Sequence, residues 1–195
     1  MDLSAIALPD KKGQEEEFTF IKGCSYQGVN GVWRIDSGKP GPIVGITLCT
    51  HGNEISGLAA LWYFRHHFLP NHTLENGSVI FVLNNLEAGE RYFIAQTLED
   101  EMKCRWGKDN MNRLPADTMT RRGDISYEIR RAQELYPTWQ SFDAALDIHS
   151  YTADLEPMIV SCFAEWPDLT ETWPIRKVLL NIENIQRDKP ACYFY

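Results

Sequence analysis

The chain has 195 residues, of which 44% are apolar and 24% charged, and its formal net charge is −8. This composition is that of a globular protein with a hydrophobic core, and the length predicts a single domain over residues 1–195. The acidic balance disfavours nucleic acid as a partner, because nucleic-acid binders carry a basic patch and only short basic pairs such as Arg121-Arg122 occur here.

Cysteine usage and hydropathy exclude several further classes of protein. The five cysteines show no CxxC spacing, so they predict neither a disulfide framework nor a cysteine zinc site. No apolar run approaches the roughly 20 residues of a membrane helix, and the N-terminus lacks the features of a signal peptide. We therefore expect a cytoplasmic protein with no membrane partner.

Strands and helices alternate along most of the sequence. Residues 1–17, which end in Gly-Gln-Glu-Glu-Glu, read as a loose lead-in. Apolar runs predict strands at 18–23, 43–49, 78–83, 142–148, 157–162 and 191–195. Helical patterns occur at 56–68, 87–98, 125–136 and 174–185, whereas residues 100–123 are polar and irregular.

The strand at 43–49 indicates the class of fold. It is nearly all apolar and rich in β-branched residues, which is typical of a strand buried on both faces of a parallel sheet. Together with the alternation of elements, this predicts an α/β fold with a mixed, mostly parallel central sheet and helices on both faces. The strand-like ending at 191–195 predicts a domain that is cut short at its C-terminus.

Two of the five histidines follow predicted core strands. His51 comes after the strand at 43–49, and His149 comes directly after the strand at 142–148. In open α/β sheets ligands bind beyond the carboxyl ends of strands, so these two side chains can converge there. Judged from position alone, the alternative that they are two unrelated loop histidines is equally open. The other histidines, His66, His67 and His72, lie late in a helix or in the loop after it and are expected to be structural or solvated.

Glu54 adds a third candidate ligand. It is three residues from His51 across the flexible Gly52, at the start of a predicted helix, so both side chains can point to one position. Two histidines and one glutamate, with an open fourth position, form a recognised catalytic zinc set. Taken alone, Glu54 could instead be a first-turn carboxylate that interacts favourably with the dipole of the helix.

Three short motifs together resemble the succinylglutamate desuccinylase/aspartoacylase family of zinc-dependent deacylases, which are related to the metallocarboxypeptidases. The motifs are His51-Gly52-Asn53-Glu54, Asn110-Met111-Asn112-Arg113 and Asp147-Ile148-His149. The resemblance spans roughly residues 43–160 and implies a carboxypeptidase-like fold. It also implies one zinc ion per chain, bound by the following ligands: His51, Glu54 and His149.

The resemblance also implies residues that bind substrate. Asn112 and Arg113 match the family's Asn-Arg pair, which holds a substrate carboxylate, and Arg91 looks like a second substrate-binding arginine. A guanidinium suits this role because it grips a carboxylate with two hydrogen bonds. A surface salt bridge is the alternative for either arginine. Asp147 has two open roles: to orient a zinc-bound imidazole or to pair with a nearby base.

The sequence departs from the family pattern in three places. Asn110 stands where the family usually has Asp, and Leu114-Pro115 replaces the common aromatic-Pro ending. The family's general-base glutamate lies well beyond the second zinc histidine, and by that spacing it falls past Tyr195. Glu156 and Glu165 are too near His149 in sequence to match it, so the catalytic residue is unassigned.

The expected activity is zinc-dependent hydrolysis of an acyl bond, either amide or ester, in a small N-acyl amino acid or a similar carboxylate-bearing substrate. One alternative is a metallocarboxypeptidase-like peptidase, since Ile148-His149-Ser150-Tyr151 resembles the corresponding carboxypeptidase stretch. Further alternatives are a metal-binding domain without turnover and a structural α/β domain without metal. The sequence leaves the oligomeric state open.

Overall fold

The computed structural model describes residues 7–150, 158–160 and 177–179. The strands are β1 (Ser25–Tyr26), β2 (Val29–Asn30), β3 (Val32–Asp36), β4 (Ile43–Leu48), β5 (Ser78–Leu83), β6 (Ala144–Asp147), β7 (Met158–Val160) and β8 (Lys177–Leu179). The α-helices are α1 (Lys11–Gly23), α2 (Ser56–Tyr63), α3 (Leu86–Ile94), α4 (Leu98–Lys103) and α5 (Tyr127–Trp139). A π-helical turn, Phe64–Phe68, extends α2, and 3₁₀ turns form at Met111–Arg113 and Ala116–Thr120.

In the described part of the chain, the central sheet has the strand order β3-β5-β4-β6. β4 is parallel to both β5 and β6, and β3 is antiparallel to β5. The register places Leu48 opposite Leu83 and Thr47 opposite Asp147, so the three parallel strands end at one edge. The predicted mixed, mostly parallel sheet is confirmed, and its carboxyl edge receives the loops after β4, β5 and β6.

Helices cover both faces of this sheet, as predicted. On one face α5 packs against β3 and β5, with this buried core: Val32, Ile80, Val82, Ile129, Ala132, Leu135 and Trp139. On the other face α1 and α2 pack against β4 and β5, with this buried core: Phe18, Ile21, Leu48, Cys49, Leu58, Leu61, Phe81 and Leu83. The alternation of side chains along β5 supplies both cores, because successive residues of a strand point to opposite faces.

The N-terminal prediction was wrong, because residues 11–23 form a helix rather than a lead-in followed by a strand. Asp10 caps α1 by accepting a hydrogen bond from the amide of Gly13. Glu17, Phe18 and Ile21 are buried, with the spacing of one helix face. The Glu17 carboxylate is buried because Arg65 and His66 of the π-helical turn pair with it at 2.6 and 3.0 Å.

Three other predictions need correction or lie outside the described residues. The helix predicted at 174–185 is wrong at Lys177–Leu179, which pairs in parallel with β7 as strand β8. β6 is not a core strand, since Ala144 to Leu146 are exposed and its one partner in the described sheet is β4. The strand predicted at 191–195 lies outside the described residues.

The docking of α1 can be tested by truncating its buried side chain. Ile21 is fully buried, so Ile21→Ala is expected to lower the free energy of unfolding by about 2–5 kcal/mol, through lost burial and the cavity left behind. Thr19→Ala on the exposed face of the same helix should change it by less than about 0.5 kcal/mol. Urea unfolding of both variants measures the difference. Equal small effects would contradict the packing of α1 against the sheet.

Among the described residues, no helix combines the length and the hydropathy that crossing a bilayer requires. The predicted cytoplasmic location stays a prediction.

Candidate metal centre

Three side chains from two distant parts of the sequence converge at the carboxyl edge of the sheet. His51 follows β4, Glu54 precedes α2, and His149 follows β6. Nδ1 of His51 lies 2.7 Å from Oε1 of Glu54, and Nδ1 of His149 lies 2.7 Å from Oε2 of the same carboxylate. One ligand atom from each residue lies within 4.8 Å of the others. The structure thus brings together all three predicted ligands, here called the His–Glu–His cluster.

The second nitrogen of each histidine has an acceptor of its own. Nε2 of His51 lies 2.9 Å from Oδ1 of Asn110, and Nε2 of His149 lies 2.8 Å from Oδ2 of Asp147. The Asn110 oxygen is identified as the acceptor because it also accepts from the amide of Asn112 at 2.9 Å. Each Nε2 atom thus faces an acceptor oxygen, and both Nδ1 atoms face the Glu54 carboxylate at the centre of the cluster. Metal-binding histidines are held in this way by their second nitrogen.

The carboxylates at the cluster are held in their ionised form by their neighbours. Burial raises the pKa of Glu54, but hydrogen bonds from His149 and His51 outweigh burial and hold this pKa below its ordinary value. Burial likewise raises the pKa of Asp147, and the neighbouring His149 charge outweighs it, so this pKa is lowered. Both carboxylates are therefore ionised at neutral pH. Burial lowers the pKa of His149, but Asp147 and Glu54 outweigh it and raise the pKa to about 10.

Asp147 is held by hydroxyl groups on its other oxygen. Its Oδ1 accepts from Oγ1 of Thr47 at 2.6 Å and from Oγ1 of Thr50 at 2.9 Å. Thr50 Oγ1 in turn accepts from the side-chain Nδ2 of Asn84, which follows β5, at 2.8 Å. The contact of Asp147 with His149 fits the first of its two predicted roles, the orientation of an imidazole. These three hydrogen bonds fix the orientation of the Asp147 carboxylate.

Sequence reasoning missed Arg105 and Trp106, which border the cluster. Nη2 of Arg105 lies 2.9 Å from Oε1 of Glu54, while 41% of its side chain is exposed. The ring of Trp106 lies 5.5 Å from that of His51, between centroids. No local motif marks these residues. The one available signal is their position shortly before the Asn110-Met111-Asn112-Arg113 motif.

Gly52 allows the segment that carries Arg105 to approach the cluster. The amide of Gly52 donates to the carbonyl oxygen of Arg105 at 2.9 Å. A Cβ atom at this position would overlap backbone atoms of Ala88 and Cys104. Because backbone atoms cannot move aside as the end of a side chain can, the close approach requires glycine between His51 and Glu54.

The sequence itself is similar to a known enzyme family. Residues 40–173 match the model of the succinylglutamate desuccinylase/aspartoacylase catalytic domain. The match covers more than half of the chain and includes the whole His–Glu–His cluster. The chain belongs to this family. The resemblance predicted from the three sequence motifs is therefore confirmed.

Solved structures support the fold expected for a member of the desuccinylase/aspartoacylase family. Succinylglutamate desuccinylase from Chromobacterium violaceum aligns with a TM-score of 0.62 and 17% sequence identity, over 93% of this chain and 60% of that one. Murine aminoacylase 3 aligns with a TM-score of 0.53 and 22% identity, over 78% of this chain and 55% of that one. The chain thus spans 60% or less of the length of each.

Two of the substrate-binding residues predicted from the family lie on a turn next to the cluster. Asn110 caps the 3₁₀ turn Met111–Arg113 and contacts His51 with the same oxygen. The side chains of Asn112 and Arg113 are half-buried, and Nη1 of Arg113 donates to the carbonyl of Asn112 at 2.5 Å. Their role in binding substrate stays a prediction.

Arg91, the third predicted substrate-binding residue, has a different environment. It lies on α3, and its Nη1 lies beside Gly107. Its Nη2 is buried without a hydrogen-bond partner among the described residues. Within residues 7–150, no hydrogen bond joins Arg91 to the His–Glu–His cluster, whereas Arg105 pairs with it directly. The role predicted for Arg91 also stays a prediction.

Proposed function

We propose that the chain is the zinc-binding part of a hydrolase that cleaves an acyl bond, amide or ester, in a small N-acyl amino acid or a similar carboxylate-bearing substrate. The observation that carries the proposal is the convergence of two imidazole nitrogens and one carboxylate within 4.8 Å. Membership in the desuccinylase/aspartoacylase family supports the same reaction class.

The donor set suits zinc. Imidazole and carboxylate are ligands of a borderline ion, and three protein ligands leave a fourth position for water or substrate, as in catalytic zinc sites. The acceptors Asn110 and Asp147 fix the two rings, as metal-binding histidines require. A zinc ion held there supplies Lewis-acid polarisation of an acyl carbonyl and a lowered pKa for water.

Arginines of the chain suit the recognition of an anionic substrate. Arg105 contacts Glu54 on one side and is partly exposed on the other, so its remaining N–H groups can donate to a substrate carboxylate or to an oxyanion. Asn112 and Arg113 lie on the adjoining turn and can add an amide and a second guanidinium. Two positive groups beside one cluster favour small substrates that carry a carboxylate.

The two carboxylates described at the cluster are both committed to other contacts. Glu54 contacts both histidines and Arg105, and Asp147 accepts hydrogen bonds from His149 and two threonines. Neither is assigned as the general base. That the family's general-base glutamate lies beyond Tyr195 remains a prediction.

Bound zinc per chain, measured by elemental analysis, tests the proposal. We expect close to one zinc in the wild type and little in His149→Ala, because one of three ligands is lost. His72→Ala is a matched control, since His72 is exposed and lies outside the cluster, and it should retain its zinc. A folded wild type without zinc, after dialysis against the metal, would contradict the proposal.

Hydrolysis is then assayed on the zinc-loaded protein. N-succinyl and N-acetyl amino acids are compared with C-terminal peptide substrates, which separates a deacylase from a carboxypeptidase-like peptidase. We expect zinc-dependent release of the free amino acid from the acylated substrates. Zinc binding without turnover of either class would instead favour the metal-binding domain without activity.

A further inference from the structure

The segment of residues 105–110 contacts the His–Glu–His cluster at several points. Arg105 pairs with Glu54, the Trp106 ring packs against His51, and Asn110 accepts from His51. The segment belongs to no helix or strand, since it lies between α4 and the 3₁₀ turn Met111–Arg113. Because sheet and helix hydrogen bonds do not fix it, its position must come from other contacts.

One buried carboxylate on α5 accepts from three successive amides of this segment. Glu128, which is 2% exposed, lies in the first turn of α5. Its Oε1 accepts from the amide of Gly107 at 2.7 Å, and its Oε2 accepts from the amides of Lys108 and Asp109, each at 3.4 Å. A Cβ on Gly107 would lie 2.6 Å from Oε1, so the absence of a side chain permits this approach.

α5, which carries Glu128, is held in place by its packing against the sheet. Its side chains Ile129, Ala132 and Leu135 are buried against β3 and β5, the two strands that supply that face of the core. Glu128 is therefore fixed to the sheet by its own helix. The 105–110 segment lies between this fixed carboxylate on one side and the cluster on the other.

We propose that Glu128 is a positioning residue that holds the 105–110 segment against the metal cluster. The inference rests on the proposed function in one respect, since the consequence for zinc depends on the cluster binding zinc. Glu128 acts through the backbone of residues 107–109 on Arg105 and Asn110. Asn110 in turn orients His51, so loosening the segment weakens the metal site without touching a ligand.

Amide hydrogen exchange tests the contact itself, with no need for metal or activity. Glu128→Gln keeps the shape but replaces one accepting oxygen by an NH₂ group that faces N–H donors. The amides of residues 107–109 should exchange at least about tenfold faster, while those of α5 stay unchanged. Glu75→Gln, an exposed change of the same chemistry away from α5 and the cluster, is the matched control. Unchanged exchange, or equal acceleration throughout the chain, would overturn the proposal.

A double-mutant cycle on zinc affinity tests the route through Asn110. Asn110→Ala should weaken zinc binding by about 10- to 100-fold and Glu128→Gln by about tenfold, as measured by competition with a chromophoric chelator. The double variant should lose less than the product of the two factors, because both act on His51. Fully multiplicative losses would overturn the route through Asn110. If the wild type binds no zinc, the proposed function fails, while the exchange result still decides whether Glu128 holds the segment.

Discussion

Glu54→Gln is expected to weaken zinc binding by about a hundredfold or more. The apparent binding free energy of a zinc site of about 10–16 kcal/mol, shared among four ligands, gives about 3 kcal/mol for each. Glu54 is also the one ligand with a negative charge, and both histidines and Arg105 contact it. An isosteric amide keeps the volume and removes the charge. Competition with a chelator at constant pH measures the change.

Glu99→Gln is the matched control, because the side chain of Glu99 is 79% exposed and its ion-pair partner among the described residues is Lys103. Its zinc affinity should equal that of the wild type. The melting temperature of each metal-free variant checks that the fold is retained. Wild-type zinc affinity in a folded Glu54→Gln would show that the cluster is not the site where zinc binds.

The ligands of the proposed site could be predicted because local patterns mark them. β4 and β5 are nearly all apolar, and their predicted bounds agree with the structure to within one residue. The carboxyl ends of parallel strands share one edge, which brings the loops holding His51 and His149 together. Glu54 is brought to His51 by the short segment that connects His51 to α2. These relations depend on strand order and short spacing, both of which the sequence carries.

Features that depend on distant partners could not be predicted in this way. The run Glu15 to Glu17 resembles a solvated lead-in, but Glu17 is buried because Arg65 and His66, far along the chain, pair with it. Phe18 and Phe20 alternate as in a strand, although the cap at Asp10 and the burial of Ile21 belong to a helix. In this segment, contacts with distant side chains determined the structure more than the local sequence pattern did.

The contact of Arg105 with the cluster could not be predicted for a related reason. Several arginines precede the Asn110-Met111-Asn112-Arg113 motif, and the sequence led to Arg91 as the second arginine at the site. The structure places Arg105 at the cluster, because the amide of Gly52 and the carboxylate of Glu128 set the path of its segment, and the substrate-binding role of Arg91 stays a prediction. Such a path is fixed by tertiary hydrogen bonds, for which no spacing rule exists.

Zinc uptake is expected to release a proton near neutral pH. Without metal, the pKa of His149 is raised to about 10, so its imidazole is a cation at pH 7. A metal binds the neutral imidazole, hence protons compete with zinc at every pH below this pKa. The zinc affinity should therefore rise by about tenfold per pH unit from pH 6 to pH 8, and it would level off only as the pH passes the pKa.

Calorimetry in buffers of different ionisation enthalpy measures this release directly, and one proton per zinc is expected at pH 7.5. Asp147→Asn provides the matched variant: it removes the charge that Nε2 of His149 faces at 2.8 Å, so the pKa of His149 falls. The pH dependence should then level off at a lower pH than in the wild type. Proton release that is absent in the wild type would contradict a charged His149, whereas release unchanged in Asp147→Asn would show that Glu54 alone sustains the charge.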